Sequence, residues 1–474
     1  MGIIVWVFAF ICVILALVRW KEVREKQRQR QRGPPLPLPP GTMGWPLFGE
    51  TSDFLKNGPQ FIKRRKTRYG DLFKSHILGC PMVISTDPEL NRYILLNEGR
   101  GLVPGYPQSM LDILGKWNIA AVHDHLHKTM RGALFALINP SIIRDHLLPH
   151  VDHFMANYVR HWDACVINLQ DKTKEMALLL ALKQVMSLDS GPKVEALMLQ
   201  FSKIVEGTVS LPINLPGTNY RRGFRARTKI LSMLTEIIHE RRACQEKQEY
   251  NDMIAMLLNV EEDGSFSKSK LTDDQILDLL ISIINAGYET VSTTTMMATK
   301  YLHDCPRALQ QLREEHLTIR MSKKPGESIT WDDYKSMKFT HSVIYETLRL
   351  ATIVNGVMRK STQDMEIKGF IIPKGWRIYV YMAEINHDQN LYPDPLEFNP
   401  WRWQVDSSNS NLYFMAFGGG SRLCPGKELG IMEIALFLHH FVTRYRWEEI
   451  GGEKILKFPR VEAPKGLRIK VSNY

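Results

Sequence analysis

A single cysteine sits in the stretch most suited to chemistry, Phe417-Gly-Gly-Gly-Ser-Arg-Leu-Cys-Pro-Gly426. The glycines allow backbone conformations and close approaches that other residues resist. Pro425 stands where a helix can begin, and Gly426-Lys-Glu-Leu-Gly-Ile-Met-Glu-Ile that follows has helical apolar spacing. Cys424 is therefore placed just before a helix N-terminus, where exposed N–H groups and the helix dipole favour a thiolate. Bound to a haem iron, such a sulfur donates strongly and promotes cleavage of an O–O bond. Taken alone, the stretch equally suits a buried structural cysteine on a Gly-rich turn.

A second constellation is Ala286-Gly287-Tyr288-Glu289-Thr290, polar residues inside an apolar helical run. Gly287 weakens the helix there, and the Thr290 hydroxyl can bond the carbonyl of Ala286 four residues back. Adjacent Glu289 and Thr290 form an acid–alcohol pair able to relay protons to dioxygen through ordered water. A chance polar patch with a solvent-facing Glu is the plainer reading. Glu346-Thr-Leu-Arg349 puts opposite charges three residues apart on a helix face, by itself no more than a surface pair.

The elements that position these residues are mostly helical. Strand-like alternation appears in Phe73–Thr86, around a turn at Gly79-Cys80-Pro81, again from Gly369 to Ile385, and at the C-terminal end. From about Asn118 to Arg320 the pattern is largely helical. Thr272-Asp-Asp-Gln275 reads as a capping box opening a helix that continues to about Asp304, long enough to cross a whole domain. The expected fold class is mainly α with a smaller β region. A single site drawing on residues near 289, 346 and 424 argues that residues 42–474 form one catalytic unit.

Residues 1–18 carry no charge and, as a helix, would span about 27 Å, the thickness of an endoplasmic reticulum bilayer core. They are expected to form a single transmembrane signal anchor. Residues 19–41 follow as a basic stretch and a Pro-rich hinge, and the positive charges after the apolar run leave the body in the cytosol. The formal net charge is +11. Without a nucleic-acid motif, that charge points to an anionic membrane or an acidic protein partner. Six cysteines without C-x-x-C spacing argue against a disulfide scaffold and a structural zinc site.

The cysteine stretch resembles the ligand signature of the cytochrome P450 family, F-x-x-G-x-R-x-C-x-G: Phe417, Gly420, Arg422, Cys424 and Gly426 match every defined position. The Ala286–Thr290 segment is similar to the family's [AG]-G-x-[DE]-T motif, and Glu346 and Arg349 to its ExxR pair, with Arg402 in Phe398-Asn-Pro-Trp-Arg402-Trp completing a structural triad. The resemblance implies iron protoporphyrin IX (haem b) bound through Cys424. It implies a haem propionate partner in Arg422, a sulfur shield in Phe417, and further propionate contacts in His127, Arg131 and Arg359. His127 replaces the family's usual Trp. A monooxygenase of this kind takes electrons from NADPH through a membrane-bound reductase, and Lys128 and Lys427 are candidates for that docking face.

Longer stretches, among them PPGTMGWPLFGET, GYPQSMLDILG, ATIVNGVMRK and IPKGWRIYVY, look like the plant brassinosteroid-6-oxidases. That likeness implies oxidation of a steroid at carbon 6, 6-deoxocastasterone to castasterone through a 6-hydroxy intermediate. By analogy the pocket walls include Tyr106, Ser109, Met110, Ala286, Asn355 and Val357. Three places depart from the pattern: Asn285-Ala286 stands where Tyr-Ser or a similar pair is expected, Ala383 where Arg is common, and His387 where Tyr is common. A further step to the lactone, another sterol or terpenoid substrate, a haem-thiolate isomerase, and a non-catalytic haem- or sterol-binding membrane protein are the competing readings.

Overall fold

The computed structural model describes residues 36–45, 49–243, 252–263, 271–324, 326–404, 412–452 and 454–474. The expected anchor at 1–18 and most of the hinge at 19–41 lie outside them. Among the described residues no helix is long and apolar enough to cross a membrane.

Helix α1 (Thr51–Tyr69) leads into the hairpin β1 (Leu72–Ile77) and β2 (Cys80–Ser85). The hairpin turns on Leu78 and Gly79, with φ of 53° and 73°. This is one residue earlier than the sequence suggests, because a two-residue hairpin turn needs positive φ at both central positions; Cys80 and Pro81 already belong to β2. Asp87 caps α2 (Pro88–Leu96), accepting from Leu90 N at 2.7 Å. After β3 (Leu102–Pro104) come α3 (Gln108–Leu114), α4 (Asp124–Leu137) and α5 (Leu148–Tyr158). Strand β4 (Val166–Asn168) interrupts the stretch that the sequence reads as largely helical. It exists because it pairs with a strand some 300 residues away, so no local signal announces it.

Helices α6 (Leu169–Met186), α7 (Pro192–Thr208), α8 (Asn219–Ala243) and α9 (Met253–Asp263) precede α10, Asp273–Asp304. As its sequence predicts, α10 opens with a capping box: Thr272 Oγ1 accepts from Gln275 N and Gln275 Oε1 from Thr272 N. It runs for 32 residues and is apolar or small on most faces, so it is buried nearly all round. Buried Thr294, Thr295 and Thr299 donate to carbonyls four residues back, which lets hydroxyls enter the core. Pro306 opens α11 (Pro306–Met321), and α12 (Lys338–Ala351) follows.

Strands β5 (Gly356–Ser361), β6 (Met365–Ile367), β7 (Phe370–Ile372) and β8 (Arg377–Tyr381) complete the main sheet and a short ribbon. The strand reading of Gly369–Ile385 ends at Tyr381, and Ala383–Asn386 is helical. Helix α13 (Lys427–Val442) then leads to β9 (Tyr445–Ile450) and β10 (Arg468–Asn473). The large sheet has the order β1-β2-β8-β5-β3, with β2 parallel to β8 and the other pairs antiparallel. A second sheet runs β4-β10-β9. The helical body carries the main core, with α10 packed between α6, α12 and α13. The large sheet packs against α1 on one side and α2 on the other. The architecture is thus mainly α with a smaller β region, and α10 and α13 cross where Glu289, Thr290 and Cys424 are needed.

Candidate active site

The cysteine loop is a tight scaffold. Cys424 N donates to Phe417 O at 2.9 Å, closing the loop on itself. Gly418 and Gly420 have φ of 74° and 62°, and a Cβ on Gly420 would lie 2.6 Å from Leu95 O. Only glycine fits there. Helix α13 starts at Lys427 rather than at Pro425, and the Gly426 N–H reaches the sulfur. Burial nevertheless wins: it pushes the Cys424 thiol up, against the pull of that N–H, Arg131 and Lys427. The Gly426 N–H at the helix start pulls toward the thiolate, as the sequence predicts, without by itself outweighing burial. A metal ion that displaces the proton does so outright. Phe417 is partly buried, with Lys427 Nζ 5.4 Å from its ring centre.

Beside this loop lies a cavity of about 150 Å³ whose walls include His127, Arg131, Arg359, Arg422, Gly418, Gly419 and Pro425. Four cofactor-binding residues named from the sequence, spread over almost 300 positions, thus meet at one place. Arg422 donates to Glu98 Oε1 at 2.6 Å, to Ile119 O and to Val122 O. Arg359 is buried, and its Nε, 3.4 Å from Glu98 Oε2, lacks hydrogen-bond geometry to any partner. Arg131 donates to Leu423 O at 2.6 Å, next to the cysteine.

His127 is not a cation. Burial first, then Arg422 and Arg131, bring it down to about 4. At neutral pH it offers a propionate a neutral hydrogen bond. Three guanidinium groups against the single carboxylate of Glu98 leave a surplus of two positive charges. That surplus, with the orphaned Arg359 Nε, fits a prosthetic group bearing two carboxylates. Glu98 carried no motif and was missed in the sequence; only its two arginine partners reveal it.

On α10 the Thr290 hydroxyl donates to Ala286 O at 2.7 Å, as the spacing predicts. Ala286 and Thr290 are exposed on the same face, one turn apart. The start of α13 abuts this segment, since a Cβ on Gly430 would meet Val291 Cγ2 at 3.6 Å. Glu289 is not the solvent-facing residue of the plainer reading. Its carboxyl is mostly buried, its Oε2 has no hydrogen-bond partner, and burial pushes it up.

The charge pair on α12 is fully buried. Arg349 grips Glu346 with two hydrogen bonds of 2.9 and 2.8 Å, and both side chains are 0% exposed. Arg402 Nε adds a third at 3.0 Å. Asn399 N and Trp403 Nε1 also donate to Glu346, at 3.0 and 2.9 Å. Those two donors were invisible in the sequence, because backbone N–H and indole groups carry no pairing signature. Arg349 further donates to the carbonyls of Asn386, Pro395 and Glu397.

The six pocket residues divide. Val357 and Tyr106 line the cavity of the arginines, and Tyr106 meets Arg359. Ala286 faces open space on α10. Met110 packs on the helical core. Ser109 is buried and gives its hydroxyl to Thr208 O at 3.0 Å, joining α3 to α7. Asn355 holds Lys457 O and Pro459 O, each at 3.2 Å, so both its amide hydrogens are committed to the chain. Any bond from Asn355 to a substrate hydroxyl is therefore limited to its oxygen.

A cysteine loop beside a cationic cavity, with the acid–Thr helix packed against the helix that follows the loop, defines a haem-thiolate protein. The chain belongs to the cytochrome P450 family, whose model matches residues 182–471, and it is a monooxygenase of that family. It is 60% identical to "Cytochrome P450 85A1" of Solanum lycopersicum over 96% of both chains. It is 56% identical to "Cytochrome P450 85A2" of Arabidopsis thaliana over 98% of this chain and 97% of the other. "Cholesterol 22-monohydroxylase CYP90B52" of Paris polyphylla is 39% identical over 92% and 93%. The solved structure "Retinoic acid bound cyanobacterial CYP120A1" superposes with a TM-score of 0.84 and 28% identity, covering 93% of this chain and all of that one.

Proposed function

We propose that the protein oxidises a brassinosteroid precursor at carbon 6, converting 6-deoxocastasterone to castasterone through the 6-hydroxy compound. The observation that carries this reading is the near full-length likeness to the 85A proteins, at 54–60% identity, on a site that has the cysteine signature, the acid–Thr motif and the ExxR pair. Bound haem supplies the redox iron that activates dioxygen with two electrons, one oxygen atom going to substrate and the other to water. Cys424 holds that iron, and Arg131, Arg359 and Arg422 hold the propionates with His127 as a neutral donor. Thr290 and Glu289 pass protons inward from the α10 face. Glu346, Arg349 and Arg402 keep the segment before the cysteine loop in place.

Residues 42–474 act as one catalytic unit. Residues 1–18 anchor it in the endoplasmic reticulum membrane by a single pass, with residues 19–41 as basic spacer and hinge and the catalytic body in the cytosol. The electron donor is an NADPH-dependent reductase in the same membrane. Exposed Lys128 and the partly exposed Lys427 offer a basic face near the sulfur for its acidic flavin domain. Reversing both charges slows reduction and flattens its salt dependence; unchanged kinetics would remove that docking face.

The test of function is incubation of full-length protein with reductase, NADPH and 6-deoxocastasterone, with products identified by mass. The 6-hydroxy compound followed by the ketone is the expected sequence. Binding without turnover, or oxidation at another carbon, would sink the reading.

A further inference from the structure

Among the buried side-chain atoms without a hydrogen-bond partner, two lie on α10 beside the reacting face: Asn285 Oδ1 and Glu289 Oε2. Residues four apart on a helix are neighbours on one face. An amide oxygen and an ionised carboxylate only accept, so neither can satisfy the other. A protonated carboxyl has one O–H to give. A proton on Glu289 is what would let these two atoms of one helix face pair with each other.

We propose that Glu289 is held as the neutral acid, with its Oε2–H donated to Asn285 Oδ1, and that Asn285 is a positioning residue controlling when that proton is released. The idea rests on the acid–alcohol role proposed above. It goes further by naming the resting protonation state and the group that sets it. Asn285 is also one of the places where this chain departs from the pattern of its family.

The surroundings favour a neutral acid. Burial is the largest influence on Glu289 and raises it; Lys174 of α6 and Arg460 of the C-terminal loop oppose, while Glu462 reinforces. Asp171 of α6 lies near Tyr288, whose phenol is kept neutral by burial. Arg460 is paired with Glu462 at 2.9 and 3.0 Å, which screens its pull. Gln170 clamps this loop to α6 through both bonds to Ala463, at 3.0 and 2.7 Å. The Arg460–Glu462 pair, about a quarter exposed, is thus held within electrostatic reach of Glu289. In turnover the acid would release its proton inward, toward the Thr290 hydroxyl. The carboxylate left behind would regain a proton from solvent.

The experiment is an infrared difference spectrum of the haem-loaded, full-length protein, wild type minus Glu289→Gln, in H2O and D2O across pH. A deuterium-sensitive band of a protonated carboxyl is expected at neutral pH. In Asn285→Leu, which keeps shape and removes the acceptor, that band shifts to higher frequency. Its titration midpoint falls by about one pH unit, a tenfold change in the proton equilibrium. Absence of a Glu289 band at neutral pH would show the reverse arrangement, an amide N–H on an ionised carboxylate, and would overturn the proposal. So would a band that Asn285→Leu leaves unmoved. Should Asn285→Leu not fold, as judged by its carbon monoxide spectrum, Asn285→Ala answers the same question. None of these readouts needs turnover, so a failed product assay and a failed proton assignment are separate results.

Discussion

Replacing Glu346 by Ala is the sharpest probe of how the haem region is held. Glu346 accepts from Arg349 twice and from Arg402, Trp403 and Asn399 once each. Removing it leaves Arg349 buried with its charge uncompensated, although three carbonyls still solvate its Nη atoms. Breaking a buried pair from one side costs roughly 3–5 kcal/mol, a large share of the ~5–15 kcal/mol that stabilises a typical domain. At about 1.4 kcal/mol per tenfold, the unfolding equilibrium should rise a hundredfold to several thousandfold. Urea unfolding of the haem-loaded protein, followed by far-ultraviolet dichroism and by haem absorbance, gives the number. A control separates charge from packing: Glu346→Leu with Arg349→Leu removes both ions and should be less damaging than Glu346→Ala alone. If Glu346→Ala unfolds within about 1 kcal/mol of wild type and keeps its haem, the buried-charge argument is wrong.

Cys424→Ser should abolish both turnover and the red-shifted carbon monoxide absorption of a sulfur-ligated ferrous centre; turnover that survives the change would refute sulfur ligation. Arg359→Leu removes a buried guanidinium that lines the cavity, while Glu98 keeps its bond to Arg422, so haem should transfer faster to an acceptor globin while the apoprotein's stability changes little. Equal transfer rates would count against a propionate contact. The buried Glu433 of α13, bonded to Gln184, is pushed up to about 7 by burial. Its raised folded-state value contributes stability below about pH 4.5 that is lost as pH rises through about 7. Glu433→Gln should flatten that part of the stability–pH curve and stabilise the protein above pH 7 by up to about 3 kcal/mol. An identical curve for both proteins would show that this carboxyl does not titrate in the fold.

The sequence determined the parts whose partners are near in the chain. The cysteine loop, the capping box of α10 and the Glu346–Arg349 spacing are local patterns, because helix caps, helix faces and tight turns are set by a few consecutive residues. The main hairpin was legible too, displaced by one residue at its turn. Tertiary structure decided what depends on distant neighbours. Strand β4 exists only through β10, and Glu98 matters only because Arg359 and Arg422 close on it. The Thr290 back-bond follows from helical spacing alone, but the burial that raises Glu289 and neutralises His127 comes from elements far along the chain. Desolvation is a property of everything packed around a group, and a linear pattern does not contain it.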